Sequence, residues 1–418
     1  MTATEQIEIR GHLLNSGSLS RVLDDILGAN GQYVIERLTL GNQTEDESYA
    51  RIAVTHPDPD VLQWIIGRVQ QYGANPTQVA DATTNPAPKD GVLPEGFYSS
   101  TNLETLVRVD GQWRPVANPE MDCGLVISGD EVRTCPMSEV RAGEAVVVGS
   151  TGVKVLVEPR AVVQDDETVF EFMNSVVSTE KPQALLVRRV AEGMREARSD
   201  GKRILWVGGP AIVHTGAGPA FCALVRDGWC DVLFAGNALA THDIESSMFG
   251  TSLGIDLSRG SGVEHGHEHH LRAINRIRAA GSISNAVESG VLTSGIMHAL
   301  VEAGAQYVLV GSVRDDGPLP DVITDVIAGQ RAMRAALADV GYAVMVATML
   351  HAIATGNLMP ASIPLVCVDI NPTTVTKLAD RGSAQAVGIV TDIGLFLEQL
   401  AHDLIPGYRT EVVEASDG

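Results

Sequence analysis

A chain of 418 residues is long enough for two or three domains, and with 44% apolar residues it can bury a sizeable core. Its 52 acidic residues against 30 basic ones leave a net charge of −22, and with no basic stripe to neutralise phosphates this argues against nucleic acid and anionic membranes as partners. There is no run of about eighteen apolar residues to span a bilayer and no apolar signal core in MTATEQIEIR, so the expected setting is the cytoplasm and the expected partners are small molecules.

Residues 6 to 10 alternate as a strand. A helical run from about Ser18 to Ala29 ends at Gly31, alternating segments follow at about 33 to 40 and 49 to 55, and a helix from Asp58 to Tyr72 has Pro59 in its first turn. With one more strand near Thr77, residues 1–79 read as a ferredoxin-like, split βαβ module. Residues 80–165 change texture. Short apolar segments such as LVRVDGQWRPV and CGLVISGDEV, with hairpin signals at Asp110-Gly111 and Gly129-Asp130, predict a small β-rich barrel or sandwich. The SSTNLET cluster at 99 to 105 is better explained by turn chemistry than by ligand binding.

The third region, 166–418, opens with a connector, VFEFMNSVVSTEKP at 169 to 182, and a helix from about Pro182 to Ser199. From Lys202 onward, continuous apolar strands (ILWVGGPAIV, DVLFAGN, YVLVGS, YAVMVAT, PLVCVDI, AVGIVTD) alternate with helical runs of roughly ten to twenty residues. Strands apolar on both faces must be covered on both faces, so the fold class is α/β, with a doubly wound, Rossmann-like parallel sheet in this C-terminal part.

In such a sheet, ligands bind at the carboxyl ends of the strands. The stretch Leu365 to Asp392 ends its first strand on Asp369, followed by Ile370 and Asn371, and its second on Thr391 and Asp392. An acidic side chain there can accept hydrogen bonds from a ribose or simply cap the next helix. GGPAIVHTGAGPAFCALV sets Gly208, Gly209, Gly216 and Gly218 around His214 and Thr215. Glycines of this kind let amides meet a pyrophosphate or form a plain tight turn, and the G-x-G-x-x-G fingerprint is absent. Three more strand ends carry polar side chains: Asn237 leads into ALATHDIE, Asp315 lies in RDDGPLPD, and Thr348 and His351 lie in ATMLHAIATGN. Several such loops on one face predict a pocket.

The run EHGHEHH, with His265, His267, His269 and His270, matches neither H-E-x-x-H nor a zinc finger, so helix capping is preferred and no metal is expected. Cys123, Cys135, Cys222, Cys230 and Cys367 form no C-x-x-C pair and read as buried apolar residues.

These blocks carry a resemblance. GHLLNSGSLSRVLDDI with SYARI resembles the conserved region of the bifunctional lysine-ketoglutarate reductase/saccharopine dehydrogenase (LOR/SDH) enzymes. GPAIVHTGAG, FAGNALATHDIE, GHEHHLRAIN, GSVRDDGPLPDVITD, ATMLHAIATGNLMP and VCVDINPTTVTKLADRGSAQAVGIVTD are similar to the archaeal-type ornithine cyclodeaminases and the C-terminal half of cyanobacterial arginine dihydrolase/ornithine cyclodeaminases. The TGAG element also resembles the glycine loop of sirtuin-like and deoxyhypusine-synthase-like NAD-binding domains. The resemblance implies conversion of L-ornithine to L-proline and ammonia with NAD reduced and reoxidised within one turnover, and implies no dihydrolase activity, because the extra N-terminal domain of the cyanobacterial proteins has no counterpart here. It places cofactor contacts at Gly216, Gly218, Asn237, Ala238, Asp315, the Ala347, Thr348, Met349, Leu350, His351 turn, Asp369, Ile370, Asn371, Thr391 and Asp392. Among the catalytic candidates, Asp316 would orient the δ-ammonium or act as base, His214 or His351 would shuttle protons, and Arg314 would hold the α-carboxylate. A carboxylate at Asp369 would repel a 2′-phosphate, which favours NAD over NADP, and a homo-oligomer is expected.

Overall fold

A computed structural model describes residues 3–11, 13, 17–41, 46, 48–77, 80–157, 183–252, 255–256, 268–313, 315, 317–380 and 386–410. Contacts divide the chain into two compact units, residues 1–166 with 357–362, and residues 167–356 with 363–418.

In the first unit, β1 (Ala3–Gly11), α1 (Ser18–Gly28), β2 (Gln32–Thr39), β3 (Ser48–His56), α2 (Pro59–Gln70) and β4 (Asn75–Pro76) follow the expected order. The sheet order β2-β3-β1-β4 is that of a ferredoxin-like module. Alternation aims Ile7 and Ile9 of β1 at Val22 and Ile26 of α1 and at Leu62, Ile65, Ile66 and Val69 of α2, all buried in one cluster. Asp58 starts α2 by accepting the Asp60 amide at 2.9 Å.

The β-rich region is a second sheet of seven strands: β5 (Thr83–Pro86), β6 (Thr105–Val109), β7 (Gln112–Ala117), β8 (Gly124–Ser128), β9 (Glu131–Cys135), β10 (Ala145–Val148) and β11 (Val153–Val155), in the order β11-β6-β7-β9-β8-β10-β5. The Asp110-Gly111 step turns β6 into β7 with φ of 49° and 75° at its two residues, the left-handed pair a tight hairpin requires. The SSTNLET polar cluster is structural. Ser100 Oγ donates to Glu120 O at 2.6 Å and accepts from Cys123 N at 3.0 Å, while Ala361 N donates to Asn102 O at 2.7 Å.

The second unit begins with α3 (Gln183–Ser199); the expected connector at 169 to 182 lies outside the described residues. It then runs β12 (Arg203–Gly208), α4 (Ala211–His214), α5 (Gly218–Arg226), β13 (Val232–Gly236), α6 (Asn237–Phe249), β14 (Thr251–Ser252) and β15 (Ile255–Asp256). After these come α7 (His269–Ala280), α8 (Ile283–Glu288), α9 (Ile296–Ala303), β16 (Gln306–Val310), β17 (Val322–Ile323), α10 (Val326–Ala336), β18 (Val340–Val346) and α11 (Leu350–Leu358). The unit closes with β19 (Leu365–Asp369), α12 (Pro372–Asp380), β20 (Ala386–Val390) and α13 (Ile393–Leu404).

Seven parallel strands form one sheet in the order β17-β16-β13-β12-β18-β19-β20. Successive residues Ile204, Leu205, Trp206 and Val207 of β12 are all fully buried, so the unbroken apolar strand pattern reports a sheet covered on both faces. Without β17, the order is that of a dinucleotide-binding doubly wound sheet, with the chain growing outward from β12 to β16 and then returning to β18 on the other side.

Candidate active site

Because these strands are parallel, the carboxyl ends of β12, β13, β16, β18, β19 and β20 share one edge. The order reverses between β12 and β18, and at such a switch point the connecting loops leave to opposite sides and open a crevice. Gly209, just after β12, donates its N–H to Val346 O at 2.9 Å. A Cβ on Gly209 would lie 1.8 Å from Ala347 O, so only glycine lets the two loops meet. Ala347 holds φ at 57°, a left-handed conformation that costs a side-chain-bearing residue energy and is concentrated at ligand sites.

The loop after β12 places His214 at the end of α4, with its Nδ1 2.7 Å from Ser252 Oγ. Burial and the neighbouring His242 hold the imidazole below its ordinary value, against the charge of Glu245. After Gly216, α5 begins at Gly218 with no side-chain cap; after Gly236, α6 begins at Asn237 and Ala238, also with no side-chain cap. Helix starts of this kind present free N–H groups and the positive end of the helix dipole. Asn237 is buried, and its Oδ1 accepts the Leu319 amide at 3.1 Å, tying the end of β13 to the loop after β16.

Two of the other predicted loops converge there. Asp315 closes the loop after β16 by accepting Ser312 N and, at 2.9 Å, Ser312 Oγ. His351, one residue into α11, is packed so closely on β13 that a Cβ on Gly236 would lie 3.1 Å from its Cε1. Burial lowers the His351 pKa, opposed by the Asp315 charge and a hydrogen bond with Val310 O. In the same turn Leu350 projects into solvent, 80% exposed, beyond Thr348 and Met349.

The far side of the edge is different. Asp369 Oδ1 accepts Asn371 N at 2.8 Å, and Asn371 Oδ1 in turn accepts Thr373 N at 3.0 Å, so Asn371 caps α12. Ile370 between them is exposed. Thr391 is buried and donates its N–H to Asp369 O at 3.3 Å, and Asp392 caps α13 through Leu395 N at 2.9 Å. Capping is thus filled by Asn371 and Asp392, while Asp369 receives the Asn371 amide. Arg314 and Asp316 lie outside the described residues.

The polar residues of ALATHDIE have separate tasks. Asp243 is buried with its two oxygens accepting Ile296 N at 2.7 Å and Met297 N at 2.8 Å, capping α9, and burial pushes its pKa up to about 6. His242 and Glu245 pair with each other at 2.9 Å. Sequence reasoning missed Ser252 and Thr251, which reach this cluster from β14; only the His242-x-x-Glu245 spacing, one helical face, hinted at it. Of the histidine run, His269 bonds Thr251 Oγ1 at 2.8 Å, while His265 and His267 lie outside the described residues. Cys222 and Cys230 are buried, and burial pushes the Cys230 thiol up, as expected of packing residues. A cleft lined by Arg203, Cys230, Asp231 and Gln306 lies at the amino ends of the strands, the edge away from the crevice.

Residues 188–400 match the family described as arginine dihydrolase ArgZ-like, C-terminal, Rossmann fold; residues 4–103 match the LOR/SDH bifunctional enzyme conserved region and 104–187 the ArgZ-like C-terminal first region. An ornithine cyclodeaminase of Methanothermobacter thermautotrophicus is 48% identical over 403 residues, 96% of this chain and 98% of the relative. The chain belongs to the ornithine cyclodeaminase family. Among solved structures of the family, cyanobacterial ArgZ without ligand, an arginine dihydrolase, aligns with a TM-score of 0.84 at 34% identity. The AgrE complex with ornithine and NAD+ aligns with a TM-score of 0.52 at 40% identity. This chain is covered to 96% in both alignments and spans 58% of the length of each of those proteins. Among the described residues, no helix is long and apolar enough to cross a membrane.

Proposed function

We propose that this chain converts L-ornithine to L-proline and ammonia with NAD as a recycled cofactor, on the carboxyl edge of the parallel sheet. The observation that carries the reading is the switch point of the strand order, where the Gly209 backbone lies against the Ala347 carbonyl beside two helix starts without side-chain caps. A dinucleotide fits this donor set: its pyrophosphate needs close backbone approach and free N–H groups, offered by Gly216 and Gly218 ahead of α5 and by Asn237 and Ala238 at the start of α6. Asp369, whose Oδ1 already receives the Asn371 amide, is assigned the adenosine ribose through its other oxygen. Asp315, Thr391 and the turn from Ala347 to His351 line the remainder.

When bound, NAD supplies the hydride acceptor and donor that a reaction with no net oxidation needs. The chain's own part is to bind, orient and move protons. Each ammonium group of ornithine must lose a proton before its own nitrogen can react, which calls for a base that is neutral at working pH; His214, held below the ordinary imidazole value by burial, meets that requirement. Arg314 is assigned the α-carboxylate and Asp316 the δ-ammonium on charge type alone.

The test is to incubate the protein with ornithine and catalytic NAD and to follow proline, ammonia and the NADH absorbance band. Proline and ammonia without net NADH support the reading; stoichiometric NADH with a keto product would mark an amino-acid dehydrogenase and overturn it, as would NAD binding with no turnover. His214→Asn is expected to lower kcat by about a hundredfold or more with NAD affinity retained.

A further inference from the structure

His214 backs onto a line of partly or fully buried polar side chains. Its ring centroid lies 5.0 Å from that of His242, with the planes tilted by 57°. His242 Nδ1 is 2.9 Å from Glu245 Oε2, and Glu245 is 0% exposed. The other carboxylate oxygen accepts Thr251 Oγ1 at 3.0 Å, and that hydroxyl is 2.8 Å from His269 Nδ1. Farther along, the rings of His242 and His270 are 6.5 Å apart. A fully buried carboxylate is costly to keep, and if its work were only to brace Thr251 and His242, a neutral amide of the same shape would serve. Among the described residues, no three His, Cys, Asp or Glu side chains are arranged to hold a metal ion.

We propose that His242 and Glu245 are positioning residues for His214, an imidazole–imidazole–carboxylate line that fixes the His214 ring and sets how readily it takes a proton from an ornithine ammonium group. The inference rests on the ornithine cyclodeaminase reading of the site. The two partners act with opposite sign: the cationic form of His242 disfavours a second positive charge beside it, whereas the Glu245 carboxylate favours one. His214 is faced by Ser252 from β14 and by His242 and Glu245 from α6, while His269 and His270 of α7 connect through Thr251 and His242. The start of α13, near the Thr215 carbonyl, brings Asp392, whose carboxylate is engaged by Leu395 N.

The deciding experiment is an NMR titration of the labelled His214 imidazole in the parent protein, in Glu245→Gln and in His242→Asn, with melting temperature and NAD binding checked for each. His242→Gln replaces His242→Asn if the latter does not fold. In Glu245→Gln the midpoint should move to lower pH, because an anion that favours protonated His214 has been removed; in His242→Asn it should move to higher pH. The acid limb of kcat for proline formation should move in the same two directions. Midpoints that stay put, or move the same way in both variants, would overturn the proposal and leave Glu245 a brace. If His214→Asn makes proline with the parent pH profile, it is the assignment of His214 as the base that fails, and the NMR result still decides whether the line governs this imidazole.

Discussion

On the β12–β13 side of the switch point, α5 and α6 start without a side-chain cap, and the glycine backbone at Gly209 lies directly against Ala347 O. On the β19–β20 side, Asn371 and Asp392 accept the first-turn amides of α12 and α13. All four helices start at the same carboxyl edge, yet among the described residues side-chain caps are found at α12 and α13 and not at α5 and α6. The contrast teaches that an acidic or amide residue at a strand end has two uses, and that the hydrogen-bond partner tells them apart. Donors taken by Asn371 and Asp392 stabilise the fold; in the proposed site the uncapped starts of α5 and α6 would meet the ligand's charge.

The strongest way to break this contrast is Gly209→Ala. A side chain 1.8 Å from a backbone oxygen must push the two loops apart, and the expected cost is about 3 kcal/mol, read as a lowered urea midpoint together with lost NAD binding. Unchanged NAD affinity in a folded variant would remove the crevice from the cofactor site. A smaller effect is expected from Asp369→Ala, about a tenfold loss of NAD affinity measured by fluorescence or calorimetry; an affinity equal to that of the parent sinks the ribose assignment. The caps test the other side. Asp392→Ala and Asn371→Ala should each cost about 1 kcal/mol of stability while leaving NAD affinity within a factor of about two, and a large affinity change with little loss of stability would show that these residues serve the ligand instead.

The gentlest test is pH. Burial depresses both His214 and His351 relative to the ordinary value of 6.5. In the window between the depressed value and 6.5, the unfolded chain binds protons that the folded chain does not, so this contribution to stability is complete above that window and is lost as pH falls through it. The urea midpoint should therefore respond to acidification from pH 7 with a more destabilising slope in the parent than in His214→Asn, the raised Asp243 carboxyl pulling the opposite way equally in both. A slope that His214→Asn leaves unaltered would show that this imidazole is not held neutral by the fold.

Much of the fold could be read from local pattern. The alternation in β1 and β3, the helices beginning at Ser18 and Pro59, and the Asp110-Gly111 hairpin depend on neighbours in the chain, and the unbroken apolar strands from Ile204 onward can exist only inside a covered sheet. The candidate site was named as residue types at strand ends: His214, Asn237, Asp315 and His351 follow apolar runs, and the first, second and fourth belong to loops that the sheet order brings beside the switch point.

What the sequence determined by itself was the six long apolar strands of the parallel sheet, though not the short β14, β15 and β17, the polar residues that end those six and, through long similar blocks, the family. The tertiary structure alone decided which of those ends are neighbours. Strand order is a matter of long-range pairing, so nothing local announces that β18 lies beside β12, that Gly209 must therefore be glycine, or that Ser252 and Thr251 reach back to His214 and Glu245. At Asp369 and Asp392 residue type alone left a ribose ligand and a helix cap both open; the structure shows local bonds at each, Asp369 receiving Asn371 N and Asp392 receiving Leu395 N as the cap of α13.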